Sequence, residues 1–215
     1  MKISRKHKSF TILDKNSTYI EKGVKIGNGV IIYPNNHIFG NSIIEDGVTL
    51  LPNNCIFNSV IGKGSKVAYS YIEESKICEN VSIGPFARIR PNSHIGNNCK
   101  IGNFVEVKNA VLKDGTKASH LAYVGDAAVG RNCNIGCGAI FVNYNGKTKN
   151  KIKVQDNSFI GSNVNLIAPL DIAKGTYIAS GTTVTQSTNE YDFIIGRSIP
   201  TVKSERAKKY ISDKL

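Results

Sequence analysis

Ile77-Cys78-Glu79-Asn80-Val81-Ser82-Ile83-Gly84-Pro85-Phe86-Ala87-Arg88-Ile89-Arg90-Pro91-Asn92-Ser93-His94-Ile95-Gly96 carries an isoleucine at every sixth position. The same spacing runs backward through Ile26, Ile32, Ile38, Ile44, Leu50 and Ile56, and forward to Ile101 and Val107. It returns as Val129, Ile135 and Phe141, then as Val154, Ile160, Leu166, Ile172, Ile178 and Val184. A helix would place apolar residues three and four apart and a lone strand would alternate by two, so a period of six means a short strand plus a turn. Three such units close a triangular coil. The aliphatic side chains then point inward and stack on the next coil, so burial comes from neighbours along the axis. The residue after the aliphatic one is often Gly, as at Gly27, Gly62, Gly84, Gly96, Gly102, Gly130, Gly136 and Gly161. The fourth residue after it is often small or β-branched, as at Ala87, Ser93, Val105, Thr176 and Thr182. The expected fold is all-β, a single-stranded parallel β-helix of hexapeptide repeats.

Function belongs where the pattern breaks. Residues 61–77 read as an irregular coil, and residues 110–129 interrupt the series around Lys117-Ala118-Ser119-His120-Leu121. The third break, Asn143-Tyr144-Asn145-Gly146-Lys147-Thr148-Lys149-Asn150-Lys151, is polar and rich in turn formers, and predicts a loop projecting from the solenoid. The expected organisation is an N-terminal basic segment 1–19, a solenoid 20–195 with the loop 143–151, and a C-terminal basic tail 196–215.

With 40% hydrophobic and 20% charged residues the chain is globular, while scarce aromatics and the absence of Trp suit a thin repetitive core. A net charge of +12 would attract phosphorylated small molecules, nucleic acid or an anionic membrane alike. The lysines are scattered and not interleaved with stacking aromatics, which sets nucleic acid aside. Five cysteines, Cys55, Cys78, Cys99, Cys133 and Cys137, form an odd set without a CxxC pair, against both a disulfide framework and a zinc site. No apolar run of signal or membrane-spanning length follows the basic N-terminus, so no membrane is involved and a cytoplasmic location is expected.

Of four histidines, only His120 falls in a break. Arg90 and Lys108 are 18 residues apart, one regular coil, and so occupy one edge of the prism as adjacent cations. Like charges held side by side repel unless an anion lies between them, which suggests a phosphate site. Glu106 could orient a base, or could simply pair with Lys108 at the surface.

Ile83-Gly84-Pro85-Phe86-Ala87-Arg88-Ile89-Arg90-Pro91, Val105-Glu106-Val107-Lys108, Ser119-His120-Leu121-Ala122-Tyr123-Val124-Gly125-Asp126-Ala127, Asn134-Ile135-Gly136-Cys137-Gly138 and Val142-Asn143-Tyr144-Asn145-Gly146 make ordered motifs of high specificity. So do Phe159-Ile160-Gly161-Ser162 and Ala179-Ser180-Gly181-Thr182-Thr183-Val184-Thr185. Together they resemble the acetyltransferase domain of bacterial bifunctional N-acetylglucosamine-1-phosphate uridylyltransferase/glucosamine-1-phosphate acetyltransferase. The resemblance extends over residues 20–200. It implies a left-handed helix, a homotrimer and N-acetylation of glucosamine 1-phosphate by acetyl-CoA, with no metal needed for acetyl transfer. It places the catalytic base on His120, sugar-phosphate contacts on Arg90, Lys108, Tyr123, Asn134 and Lys149, and acetyl-CoA contacts on Cys137, Asn143, Tyr144, Ser162, Ser180 and Arg197. Lys149 is expected to reach a neighbouring subunit's site. Glu106 and Asn143 complete the catalytic set, Glu106 beside the base and Asn143 near the oxyanion.

Cys137 and Ser180 depart from the family, which usually has Ala at both positions. The Gly-rich nucleotide-binding domain of the family has no counterpart before Ile20, so a separate uridylyltransferase is the expected pathway partner. Two alternatives stay open: another amino-sugar phosphate or nucleotide-linked amino sugar as acceptor, and a non-catalytic trimeric scaffold.

Overall fold

The computed structural model describes residues 9–196 and 199–211. Among them run 28 short strands and one helical turn, Lys208–Ile211, in the basic tail. The strands pair in parallel into a β-solenoid of about 10 turns. Three faces make each coil. In the coil that matters most they are Lys100–Ile101, Glu106–Val107 and Val111–Leu112, called here the first, second and third face.

The aliphatic residues of the six-residue series line the axis. Ile32, Ile38, Ile44, Leu50, Ile56, Ile77, Ile89, Ile95 and Ile101 are fully buried, and Phe141 is the largest side chain of this core. Each such burial contributes roughly 1.5–3 kcal/mol, and each depends on the coils above and below. Ser and Asn share the buried positions before the strands with Val, Ala, Thr and Cys; Asn54 donates to Asn36 there, and no buried polar side-chain atom among the described residues lacks a partner.

Corners need a left-handed backbone. Most use Asn or Gly, such as Asn35, Asn53, Asn92, Asn109, Asn163 and Gly181. In four successive coils the corner between the first and second faces instead uses Tyr69, Phe86, Phe104 and Leu121, with φ of 47°, 57°, 58° and 36°. Bulky side chains tolerate this region poorly.

The structure refines three expectations. The solenoid begins earlier than residue 20, because Thr11–Ile12 already pairs with Ile31–Ile32. Residues 61–77 form a regular coil shortened at its turns: Lys25 faces Ile43 at a step of 18, whereas Lys66 faces Ser82 at a step of 16. His120 lies inside the nine-residue strand Lys117–Gly125, which bends through the corner beside the equally long Lys100–Lys108. These two strands join the first and second faces into one 19-stranded sheet, while the third face remains a separate 9-stranded one. The polar insertion is exposed from Tyr144 to Lys149. Ile135 faces Ile160 at a step of 25, and the extra residues leave at the corner between the second and third faces. No helix among the described residues is long and apolar enough to cross a membrane.

Candidate active site

Register divides the expected site residues between two corners. Ala118, Ile135, Ile160 and Ile178 face one another in successive coils, so His120, Cys137, Ser162 and Ser180, each two residues later, form one column at the first corner. All four are exposed. Asn134 lies on the first face beside this column, opposite Lys117. Arg197 lies outside the described residues.

At the head of the column, Asn103 faces His120, and its Oδ1 lies 2.7 Å from His120 Nδ1. Gly102 makes this approach possible: a Cβ there would run into the Ser119 carbonyl oxygen.

The second corner gathers the cations. Ile89 faces Val107, which stacks Arg90 over Lys108 as the 18-residue spacing predicts. Arg90, Lys108 and Lys149 line one groove of about 360 Å³ with Asn92, Asn109 and Asp126. Lys149 is held there by the loop, whose Tyr144 and Lys149 pair across an antiparallel bridge. Lys108 beside it pushes the Lys149 ammonium below its ordinary pKa, as expected for crowded like charges.

Asp126 is the carboxylate at the centre of this corner. It is nearly buried, accepts from Asn109 at 2.6 Å and Lys108 at 3.4 Å, and also accepts from the Asn143 amide. Burial works against its charge, but the Asn109 and Asn143 hydrogen bonds and the Lys108 ammonium outweigh that and hold its pKa below the usual carboxylate value. Neither Asp126 nor Asn103 stood out in the sequence as a site residue. Asp126 lies in the motif Ser119–Ala127 and Asn103 two residues before the motif Val105–Lys108, but their partners come from the neighbouring coil.

Two residues of the expected catalytic set have other side-chain partners here. Glu106 does not hydrogen-bond His120: its Oε1 is 2.8 Å from Arg90 Nη1, and this bond raises the Arg90 pKa. The corner separates Glu106 from His120, which faces Asn103 and not Glu106. Asn143 is buried with its amide donating to Asp126 and, at 3.4 Å, to the Tyr123 hydroxyl, so in this structure the amide clamps the second corner. Tyr144 donates its hydroxyl within its own loop, to the Gly146 carbonyl. Tyr123 lies on the second face between the corners, lining an open groove of about 420 Å³ with Phe104, Glu106, Leu121 and Ile140.

The chain is 49% identical to the bifunctional protein GlmU of Clostridioides difficile (strain 630) over 93% of its own length and 43% of that protein. For the bifunctional protein GlmU of Clostridium novyi (strain NT) the figures are 46%, 92% and 44%. The chain is a relative of the GlmU proteins. It matches the C-terminal part of these GlmU proteins and spans less than half the length of the curated relatives it matches. A family profile described as the GMPPB C-terminal domain covers residues 71–145. Among solved structures, the Arabidopsis UDP-N-acetylglucosamine acyltransferase superposes with a TM-score of 0.59 at 20% identity, over 83% of this chain and 69% of that one. The GlmU relative therefore has the parallel β-helix that the hexapeptide period implies, with the left hand that the family resemblance implies.

Proposed function

We propose that this chain is an acetyl-CoA-dependent N-acetyltransferase that converts glucosamine 1-phosphate to N-acetylglucosamine 1-phosphate in the cytoplasm. The single observation that carries this reading is the pairing of an exposed, oriented histidine with a separate three-cation groove, in a chain 49% identical to part of a bifunctional GlmU protein. The cations match the acceptor's phosphate, and His120 matches its amine, whose ammonium form has no lone pair to attack a thioester.

In the reaction, Arg90, Lys108 and Lys149 hold the phosphate. His120 takes a proton from the amine as nitrogen attacks the thioester carbonyl, and the imidazolium returns that proton to the departing thiolate of CoA. The acetyl C–S bond breaks as the C–N bond forms. The column Cys137, Ser162 and Ser180 runs along the axis from His120 and supplies a track for the pantetheine arm. The small departures at Cys137 and Ser180 leave such a track open. Acyl transfer from a thioester to an amine needs no metal.

We propose further that the site is completed between copies in a homotrimer. His120 and Asn134 lie at the first corner, whereas Lys108 faces Gly125, five residues along the strand, at the second. Along the strand that is at most about 16 Å at roughly 3.3 Å per residue, less where it bends at Leu121, and an acceptor whose amine and phosphate sit on neighbouring ring carbons spans only part of it. A second copy presenting its cation corner to the first copy's histidine corner removes the conflict. Tyr69, Phe86, Phe104 and Leu121 support this packing. They are 41%, 55%, 58% and 56% exposed, and their strained backbone holds an apolar stripe beside His120 that a neighbouring copy would cover. The five unpaired cysteines suit a reducing compartment.

The test is thiol release from acetyl-CoA with glucosamine 1-phosphate, galactosamine 1-phosphate and a UDP-linked amino sugar offered separately. Release with glucosamine 1-phosphate alone is expected. Faster release with either of the others transfers the site to that acceptor, and no release with any of the three removes the enzymatic reading.

A further inference from the structure

We infer that Asn103 is the positioning residue that makes His120 a base, by fixing which ring nitrogen carries the proton. This rests on the acetyltransferase reading above. The backbone brings the two residues together. Lys100–Lys108 and Lys117–Gly125 bend at the same corner, through the positive φ of Phe104 (58°) and Leu121 (36°). Asn103 and His120 are the residues immediately before each bend and face each other in register. The missing side chain at Gly102 lets the strands close on each other there.

The contact is Asn103 Oδ1 to His120 Nδ1 at 2.7 Å. An amide oxygen only accepts, so neutral His120 carries its hydrogen on Nδ1 and presents an unprotonated Nε2 to solvent. Among the described residues no side chain bonds Nε2. Glu106, the carboxylate expected to do this work, is tied to Arg90. The base is thus oriented by a neutral amide, and its positive charge during turnover meets a dipole where a carboxylate would raise its proton affinity.

Two variants and one spectrum test this. Asn103→Leu keeps the volume and deletes the acceptor; kcat should fall on the order of 10-fold to 100-fold while both KM values stay within about threefold. Asn103→Asp keeps an acceptor on Nδ1 and adds a charge, so activity should persist with the acid limb of the kcat profile shifted upward by about one pH unit or more. Nitrogen NMR of the ring should report the Nδ1–H tautomer in wild type and its loss in Asn103→Leu. Wild-type kcat in the Leu variant, an inactive Asp variant, an unmoved acid limb, or an Nε2–H tautomer in wild type would each overturn the assignment. The His120→Ala control separates the two levels. If it is inactive while the Asn103 variants behave as wild type, only this inference falls; if it turns over normally, the reading of His120 as the base falls first.

Discussion

Replacing Asp126 by Asn keeps the shape of the side chain and removes the charge at the centre of the cation corner. Asp126 and Lys108 side chains are 7% and 18% exposed, so their 3.4 Å pair is largely out of water. Breaking one side of a buried pair costs about 3–5 kcal/mol, and the remaining exposure of Lys108 lowers this to about 2–3 kcal/mol. The new amide still accepts from Asn109 or Asn143 but turns its own NH2 toward the remaining donors. For a chain of this size the loss corresponds to a fall in Tm of roughly 5–10 °C at pH 7. Because the folded pKa of Asp126 lies below its ordinary value, the carboxylate's contribution is complete above the unfolded pKa of about 4. It disappears as pH falls through the lower folded value. Thermal melts of wild type and Asp126→Asn, followed by circular dichroism, should differ most near neutrality and converge in acid. A gap that stays constant or widens as pH falls would refute the assignment of this charge to the corner.

His120→Ala should lower turnover by a factor on the order of 100 or more with the fold intact, read by thiol release and circular dichroism. Arg90→Ala or Lys108→Ala should mainly raise KM for the sugar phosphate, since each removes a ground-state contact; a change confined to acetyl-CoA would assign that edge to the donor. Gly102→Ala should reduce both stability and kcat, because the added methyl meets the Ser119 carbonyl where Asn103 approaches His120. An unaltered melt and kcat would show that the close approach is not needed.

The hexapeptide period made the solenoid legible, since each buried aliphatic repeats the same physical demand. Arg90 over Lys108 was legible for the same reason: their coil keeps its 18-residue step, and the register stacks them. The site at the first corner was harder to read. Its coil steps by 17, from Asn103 to His120, so counting in sixes makes residues 110–129 look like a break although the strand continues through it. The partner of His120 follows from that shortened step, and sequence spacing alone directed attention to Glu106. Asp126 was hidden differently. It reaches Lys108 and Asn109 in the coil before and Asn143 in the coil after, and Asn109 and Asn143 each lie 17 residues from it, a shortened step that counting in sixes does not line up.

The proposed active site joins the histidine corner of one copy to the cation corner of another. His120→Ala and Lys149→Ala chains, each nearly inactive alone, should be unfolded together in equal amounts and reassembled. In a cyclic trimer mixed at random, a site that draws its two corners from neighbouring copies has about one chance in four of receiving both intact residues. Thiol release with glucosamine 1-phosphate should therefore return to about a quarter of the wild-type rate. If both residues serve a site within one chain, no mixture can rebuild it, and activity at the level of the separate variants after verified mixing would contradict the shared site.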